Sequence, residues 1–254
     1  MRVECYGSGS RVYFGLHGWS GDHTTFAPLT RYLPSDVALY SADLPGYGSS
    51  AAPQRWELAA ITDEIARAIA AVGAPVAVIG NCSGAVFALL AAERLTRSIE
   101  RLILIDPFAY LPWYFKIFLH KRIGRYAYYS TFANPVGRWL TNLSLSKHRA
   151  ADTNLTESFV SVSHDVAYRY LALLGELDDI GRFSRLRLPV DLIYGARTFG
   201  AIKKSIALWR GVWPHARCHE LAGAGHLPIQ EATRQLSEIV WSAGIPACDF
   251  PGNS

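Results

Sequence analysis

Three observations predict an α/β fold: a mostly parallel sheet with helices on both faces, interrupted by one long segment without strands. Short β-rich runs alternate with longer stretches of helical spacing along most of the 254 residues. One of those runs, Val76-Ala77-Val78-Ile79-Gly80, breaks at the small-residue turn Asn81-Cys82-Ser83-Gly84 and passes directly into an apolar helix. From 107 to 175 the rhythm stops, and aromatic side chains replace any convincing strand.

The predicted strands are 3–6, 12–16, 37–42, 76–80, 102–105, 190–194 and 217–220, each a short run rich in β-branched or aromatic residues. Between them, 56–72 carries Leu58, Ile61, Ile65 and Ile69 at helical spacing, 85–95 continues the turn at Cys82, and 231–241 closes the chain as a last helix. Gly7-Ser8-Gly9-Ser10 reads as a hairpin turn between the first two strands. The core is therefore expected over 1–106 and 176–254, with 107–175 set apart from it as a segment without strands. No internal repeat is present.

Half of the residues are hydrophobic and 18% are charged, which describes a globular protein. No apolar run approaches the roughly 20 residues that span a bilayer, and the segment Met1 to Tyr6 lacks the apolar stretch of a secretory signal. A cytoplasmic location is the expectation. Cys5, Cys82, Cys218 and Cys248 form no close pair, so they are read as thiols, with neither a metal site nor a disulfide framework. The net charge of +4 suits an acidic partner such as an acyl carrier protein. Basic and aromatic residues mix between Lys116 and Arg125, but no nucleic-acid motif accompanies them.

Cys82 stands at the apex of the strand-to-helix turn. A residue there is held in a strained conformation, and small neighbours two positions away, here Gly80 and Gly84, let strand and helix pass closely. The side chain then points over the first turn of a helix, where unpaired N–H groups favour negative charge. Such a thiol is a candidate nucleophile. It needs a base, and the base needs an orienting acid.

Four landmarks occur in order: His17-Gly18-Trp19 after the second strand, Asp43-Leu44-Pro45-Gly46-Tyr47-Gly48-Ser49 after the third, Gly80-Asn81-Cys82-Ser83-Gly84, and Gly223-Ala224-Gly225-His226 near the end. Together they resemble the α/β-hydrolase family, with cysteine at the nucleophile elbow. The resemblance implies that Cys82 is the nucleophile and His226 its base, and that the backbone N–H groups of Trp19 and Ser83 form the oxyanion hole. The commonest family pattern places the acid after the penultimate strand, where this chain has Thr198 and no carboxylate. Some members carry it one strand earlier, and Asp106 occupies that point. Asp106 is the expected acid. The resemblance also places a helical cap after Ile105, so that Trp113, Tyr114 and Phe118, with His17, are expected to face an apolar substrate pocket.

These residues imply an acyl-transfer enzyme without cofactor or metal: a thioesterase, hydrolase or acyltransferase acting on a hydrophobic acyl ester or thioester, free or borne on a carrier protein. Thioester exchange suits a thiol nucleophile. Two other readings remain open from the sequence: a non-catalytic binding protein on the same fold, and a cofactor-free lyase or C–C hydrolase using His226 as base.

Overall fold

The computed structural model describes residues 1–73, 75–177 and 179–242. Seven strands form one sheet in the order β1-β3-β2-β4-β5-β6-β7. They are β1 (Val3–Gly7), β2 (Arg11–Leu16), β3 (Val37–Ala42), β4 (Val76–Asn81), β5 (Ile99–Ile105), β6 (Val190–Gly195) and β7 (Arg217–Leu221). All seven predicted strands are present. Only β1 runs antiparallel, pairing with β3 from Val3 opposite Ala42 to Gly7 opposite Ala38.

That pairing corrects the hairpin expected at Gly7 to Ser10. β3 lies between β1 and β2, so the glycine-serine segment crosses the sheet edge instead of joining neighbours. Its reason is steric: Gly7 adopts φ 76°, and a Cβ on Gly9 would run into the backbone of Asp36 and Val37.

Helix α1 (Leu58–Ala70) buries Ile61, Ile65 and Ile69, the stripe legible in its spacing. Helix α2 (Ser83–Arg94) is apolar all round and buried from Ser83 through Ala92, since it packs across the centre of the sheet. The segment after β5 contains α3 (Trp113–Lys116), α4 (Gly124–Tyr128), a π-helical turn Tyr129–Ala133, α5 (Pro135–Ser144) and α6 (His164–Leu174). Between β6 and β7 lies α7 (Gly200–Val212), and the chain ends on α8 (Pro228–Glu231) and α9 (Thr233–Val240). The last helix was expected as one element over 231–241; it is broken at Ala232, whose φ of −137° leaves the helical region.

The two sheet faces bury separate apolar clusters. One centres on α2 with Phe87, Leu89 and Trp209; the other holds Phe26, Leu39, Ile103 and Leu236. A third cluster, around Tyr128, Phe132 and Phe159, belongs to the helical segment after β5. Trp19 joins that cluster to the sheet, its Nε1–H donating to the Ala167 carbonyl at 2.7 Å. Cys5 and Cys218 are exposed, Cys82 is half-buried, and none is in a disulfide; Cys248 lies outside the described residues.

Candidate active site

The carboxyl ends of β2, β4 and β5 and the loop after β7 converge on one point. At the end of β4 the backbone turns at Cys82 with φ 52° and ψ −115°, a conformation that L-residues rarely adopt. The Cys82 N–H donates to the Ile105 carbonyl at 2.8 Å, which ties the turn to β5. A Cβ on Gly80 would strike the Ala85 backbone, and one on Gly84 would strike the carbonyls of Leu16 and His17. The two flanking glycines are thus required by close passage of strand and helix.

Asp106 follows β5 with φ 47° and is fully buried. Its Oδ2 accepts from His226 Nδ1 at 2.7 Å and from Thr198 Oγ1 at 2.5 Å; its Oδ1 accepts from the Gly195 N–H at 3.2 Å. With Nδ1 donating to the carboxylate, the other ring nitrogen of His226 is the one available to the Cys82 thiol across the cavity that both residues line. Burial alone would lower the pKa of His226, but Asp106 and then Cys82 outweigh it and push the imidazole up to about 10. Imidazole and carboxylate are therefore bonded to each other, and imidazole and thiol border the same cavity.

Thr198 occupies the position after β6 where sequence reasoning found no carboxylate. Its hydroxyl donates to Asp106 and lies 3.4 Å from His226 Nδ1, so a neutral donor there supports an acid supplied by the neighbouring strand.

The backbone N–H groups expected as oxyanion donors flank the thiol. Ser83 opens α2, where the first N–H of a helix has no acceptor one turn back. The Trp19 N–H takes no backbone acceptor among the described residues. A Cβ on Gly18, next to Trp19, would stand 3.1 Å from Cys82 Cβ, so this loop lies directly against the elbow.

A cavity of about 680 Å³ opens on Cys82 and His226. Val86, Phe115, Phe118, Phe132, Phe159 and Leu174 are among the side chains that line it, and among the described residues no Asp, Glu, Lys or Arg does. Tyr114 and Phe118 lie in its wall as expected. Trp113 does not: it is 74% exposed on the outer side of α3. His17 is also excluded, because it is buried beneath the loop it was expected to present to substrate.

His17 instead fixes that loop. Its Nδ1–H donates to the Gly18 carbonyl at 2.8 Å and its Nε2 accepts the Leu44 N–H at 3.0 Å, so both bonds need the neutral ring. Burial pushes its pKa from 6.5 down to about 4. A folded-state pKa below the unfolded one gives stability that is complete above 6.5 and lost as pH falls through about 4. Denaturant midpoints measured across that window should fall more steeply in the wild type than in His17→Asn. Parallel pH profiles would remove this assignment.

Sequence reasoning missed Glu231, which it counted as the first residue of the last helix. Its Oε1 accepts from the Ala150 N–H and from Thr153 Oγ1, both at 2.7 Å, and its Oε2 accepts from the Gly225 N–H. The His226 N–H in turn donates to the His148 carbonyl at 2.7 Å. One carboxylate thereby joins the loop of the candidate base to the strap 148–153. No sequence signal marks it, since its partners lie 81 and 78 residues away.

Known proteins share this architecture. A pimeloyl-[acyl-carrier protein] methyl ester esterase of Chromobacterium violaceum is 27% identical over 93% of this chain and 96% of its own. One from Neisseria meningitidis (serogroup B / serotype 15, strain H44/76) is 33% identical over 40% of this chain, and the match spans only 38% of that relative's length. Among solved structures, a thermophilic esterase from Thermogutta terrifontis superposes with a TM-score of 0.76 at 19% identity, covering 94% of this chain and 90% of that one. The sequence model of the alpha/beta hydrolase family matches residues 15–239, and the chain belongs to that family.

Proposed function

We propose that this chain is an acyl-transfer enzyme in which Cys82 is the nucleophile, His226 the acid–base and Asp106 the group that orients His226. The observation that carries the reading is the Asp106 carboxylate bonded to His226 Nδ1 at 2.7 Å, with His226 and Cys82 both opening on a cavity that, among the described residues, no Asp, Glu, Lys or Arg lines. Such a cavity accepts a neutral, hydrophobic acyl group and repels a bare carboxylate. The helical segment 107–175 acts as its cap.

In the first half-reaction the Cys82 sulfur, its own proton already held by His226, attacks the carbonyl carbon of an ester or thioester. Negative charge gathers on the carbonyl oxygen, facing the N–H groups of Ser83 and Trp19; losing one such donor typically costs roughly 3 kcal/mol of transition-state stabilisation. His226 delivers a proton to the departing alkoxide or thiolate, which leaves an acyl-cysteine. In the second, His226 takes a proton from water or another acceptor as it attacks the acyl carbon, and Cys82 is released. The elevated imidazole pKa suits the first proton delivery, because His226 enters the cycle protonated at neutral pH.

The names of the relatives add a carrier-borne ester as the natural form of substrate. A reduced compartment such as the cytoplasm preserves the thiol. Intact mass measurement after incubation with acyl thioesters and activated esters of graded chain length should show one acyl adduct on the wild type and none on Cys82→Ala. Adduct on both proteins would transfer the nucleophile elsewhere.

The acid can be tested separately. Asp106→Asn is expected to lower turnover by about a hundredfold, at the low end of acid–base contributions because a thiol needs less help than a hydroxyl. Thr198→Val, which removes one donor to Asp106, is expected to lower it less. Kinetics of the two variants give the ranking, and the reverse order would make the residue after β6 the principal partner of His226.

A further inference from the structure

Helix α5 is inverted. Asn134 caps it by accepting from the N–H groups of Val136 and Gly137, and Pro135 starts it, so the helix is well specified. Its protein-facing side is the polar one. Arg138 donates to the carbonyls of Phe132 and Ala133, Asn142 accepts from the Leu155 N–H, and Thr141 and Ser144 face the cavity. Its solvent side carries Val136, Trp139, Leu140 and Leu143, at 63%, 63%, 53% and 56% exposure. These four positions follow helical spacing and form one stripe.

The stripe belongs to a wider pattern. Ten of the fourteen exposed large apolar side chains in the described residues fall between Trp113 and Val160, among them Ile123 and Tyr126. From Pro107 to Ala151 the sequence holds seven Lys and Arg and no Asp or Glu. Arg125 reaches Asp165 at 3.4 Å, but the exposed Lys116, Lys121, Arg122 and Lys147 meet no acidic partner among the described residues. Large apolar side chains facing water beside uncompensated cations match an anionic lipid interface: the stripe enters the headgroup and acyl boundary while the cations hold phosphate. A second copy of the chain would bring these same cations against each other. An acidic soluble protein would answer the charge but leaves the Trp and Leu stripe without a reason of its own.

We infer that the outer face of α5, with the cations of the surrounding helical segment, docks this protein peripherally on an anionic bilayer. No helix of the described residues is long and apolar enough to cross a membrane, so the attachment is interfacial. The inner side of the same helix lines the cavity, which places the candidate site one helix away from the lipid.

The test is sedimentation of the whole protein with vesicles of phosphatidylcholine alone or of phosphatidylcholine mixed equally with phosphatidylglycerol. Binding to the mixed vesicles, strongly reduced on phosphatidylcholine and at high salt, is expected. Trp139→Ser combined with Leu143→Ser should abolish it while circular dichroism stays unchanged, because both side chains are exposed. Lys121→Ala and Arg122→Ala should each weaken it about fivefold, the equivalent of about 1 kcal/mol per cation. Cys82→Ser should bind like the wild type, so the result stands apart from the thiol chemistry. Equal binding to both lipids, undiminished binding by the double variant, or self-association or capture of an acidic protein with no vesicle binding would each overturn the assignment.

Discussion

Cys82→Ala is expected to eliminate the acyl-enzyme and to lower turnover by roughly four orders of magnitude or more, the scale seen when a triad nucleophile is removed. Two features of the site set that size. The sulfur sits at a strained apex, φ 52°, that holds it against the loop bearing Trp19 and on the cavity His226 lines. The imidazole is oriented by its 2.7 Å contact with Asp106 Oδ2, which leaves its other ring nitrogen for the thiol. Without the sulfur, His226 lacks the partner that helps to raise it, and hydrolysis has no covalent route. Steady-state kinetics on the adduct-forming ester measures the loss. Near-wild-type turnover in Cys82→Ala would favour chemistry run by His226 alone.

The second large effect concerns stability and lies at the opposite end of the sheet. Asp191 is fully buried at the start of β6, where Oδ2 accepts from Arg101 Nε and Arg217 Nη2, each at 2.7 Å, and Oδ1 lies 2.8 Å from His219 Nε2. Burial alone would raise its pKa; the contacts with His219, Arg217 and Arg101 outweigh burial and lower it from 3.8 to about 2. Its contribution is therefore complete above 3.8 and lost as pH falls through about 2. Arg101, 4% exposed, also donates to the carbonyls of Ile239, Val240 and Ser242, closing the end of α9. Asp191→Ala leaves that guanidinium buried and unpaired, which costs about 3–5 kcal/mol. Thermal unfolding should show a drop in Tm of roughly 10 °C. Turnover per folded molecule should hold, since the candidate site lies beyond the other ends of the strands. A Tm within a degree or so of wild type would show that Arg217 and His219 reorganise around Arg101.

What was legible in the chain was what local pattern encodes. The seven strands, α1 and the elbow all announce themselves through runs, spacing or flanking glycines. The antiparallel placement of β1 did not, because a glycine-serine turn looks the same whether it joins neighbours or skips one strand. Helix α7 passed unread, since it begins on Gly200 without a side-chain cap and buries only Ile202, Ser205, Ile206 and Trp209. At the site, Cys82 could be picked out at the apex of a glycine-flanked turn, while His226 and Asp106 were picked out by the resemblance of their loops to the family pattern. Whether a carboxylate from the loop after β6 or from the end of β5 reaches His226 was a question of distance, and Asp106 Oδ2 lies 2.7 Å from His226 Nδ1. His17 and Trp113 went wrong in opposite directions, one sealed under its loop and the other turned outward. Residue type says little about which way a ring faces.

The carboxylate of Glu231 has a kinetic meaning. It grips the strap after α5 and the Gly225 amide at once, while the His226 amide holds the His148 carbonyl, so the roof of the chamber and the hinge of the imidazole are one mechanical piece. Lifting that roof to admit or discharge a bulky acyl chain pulls on the same amides that aim the ring.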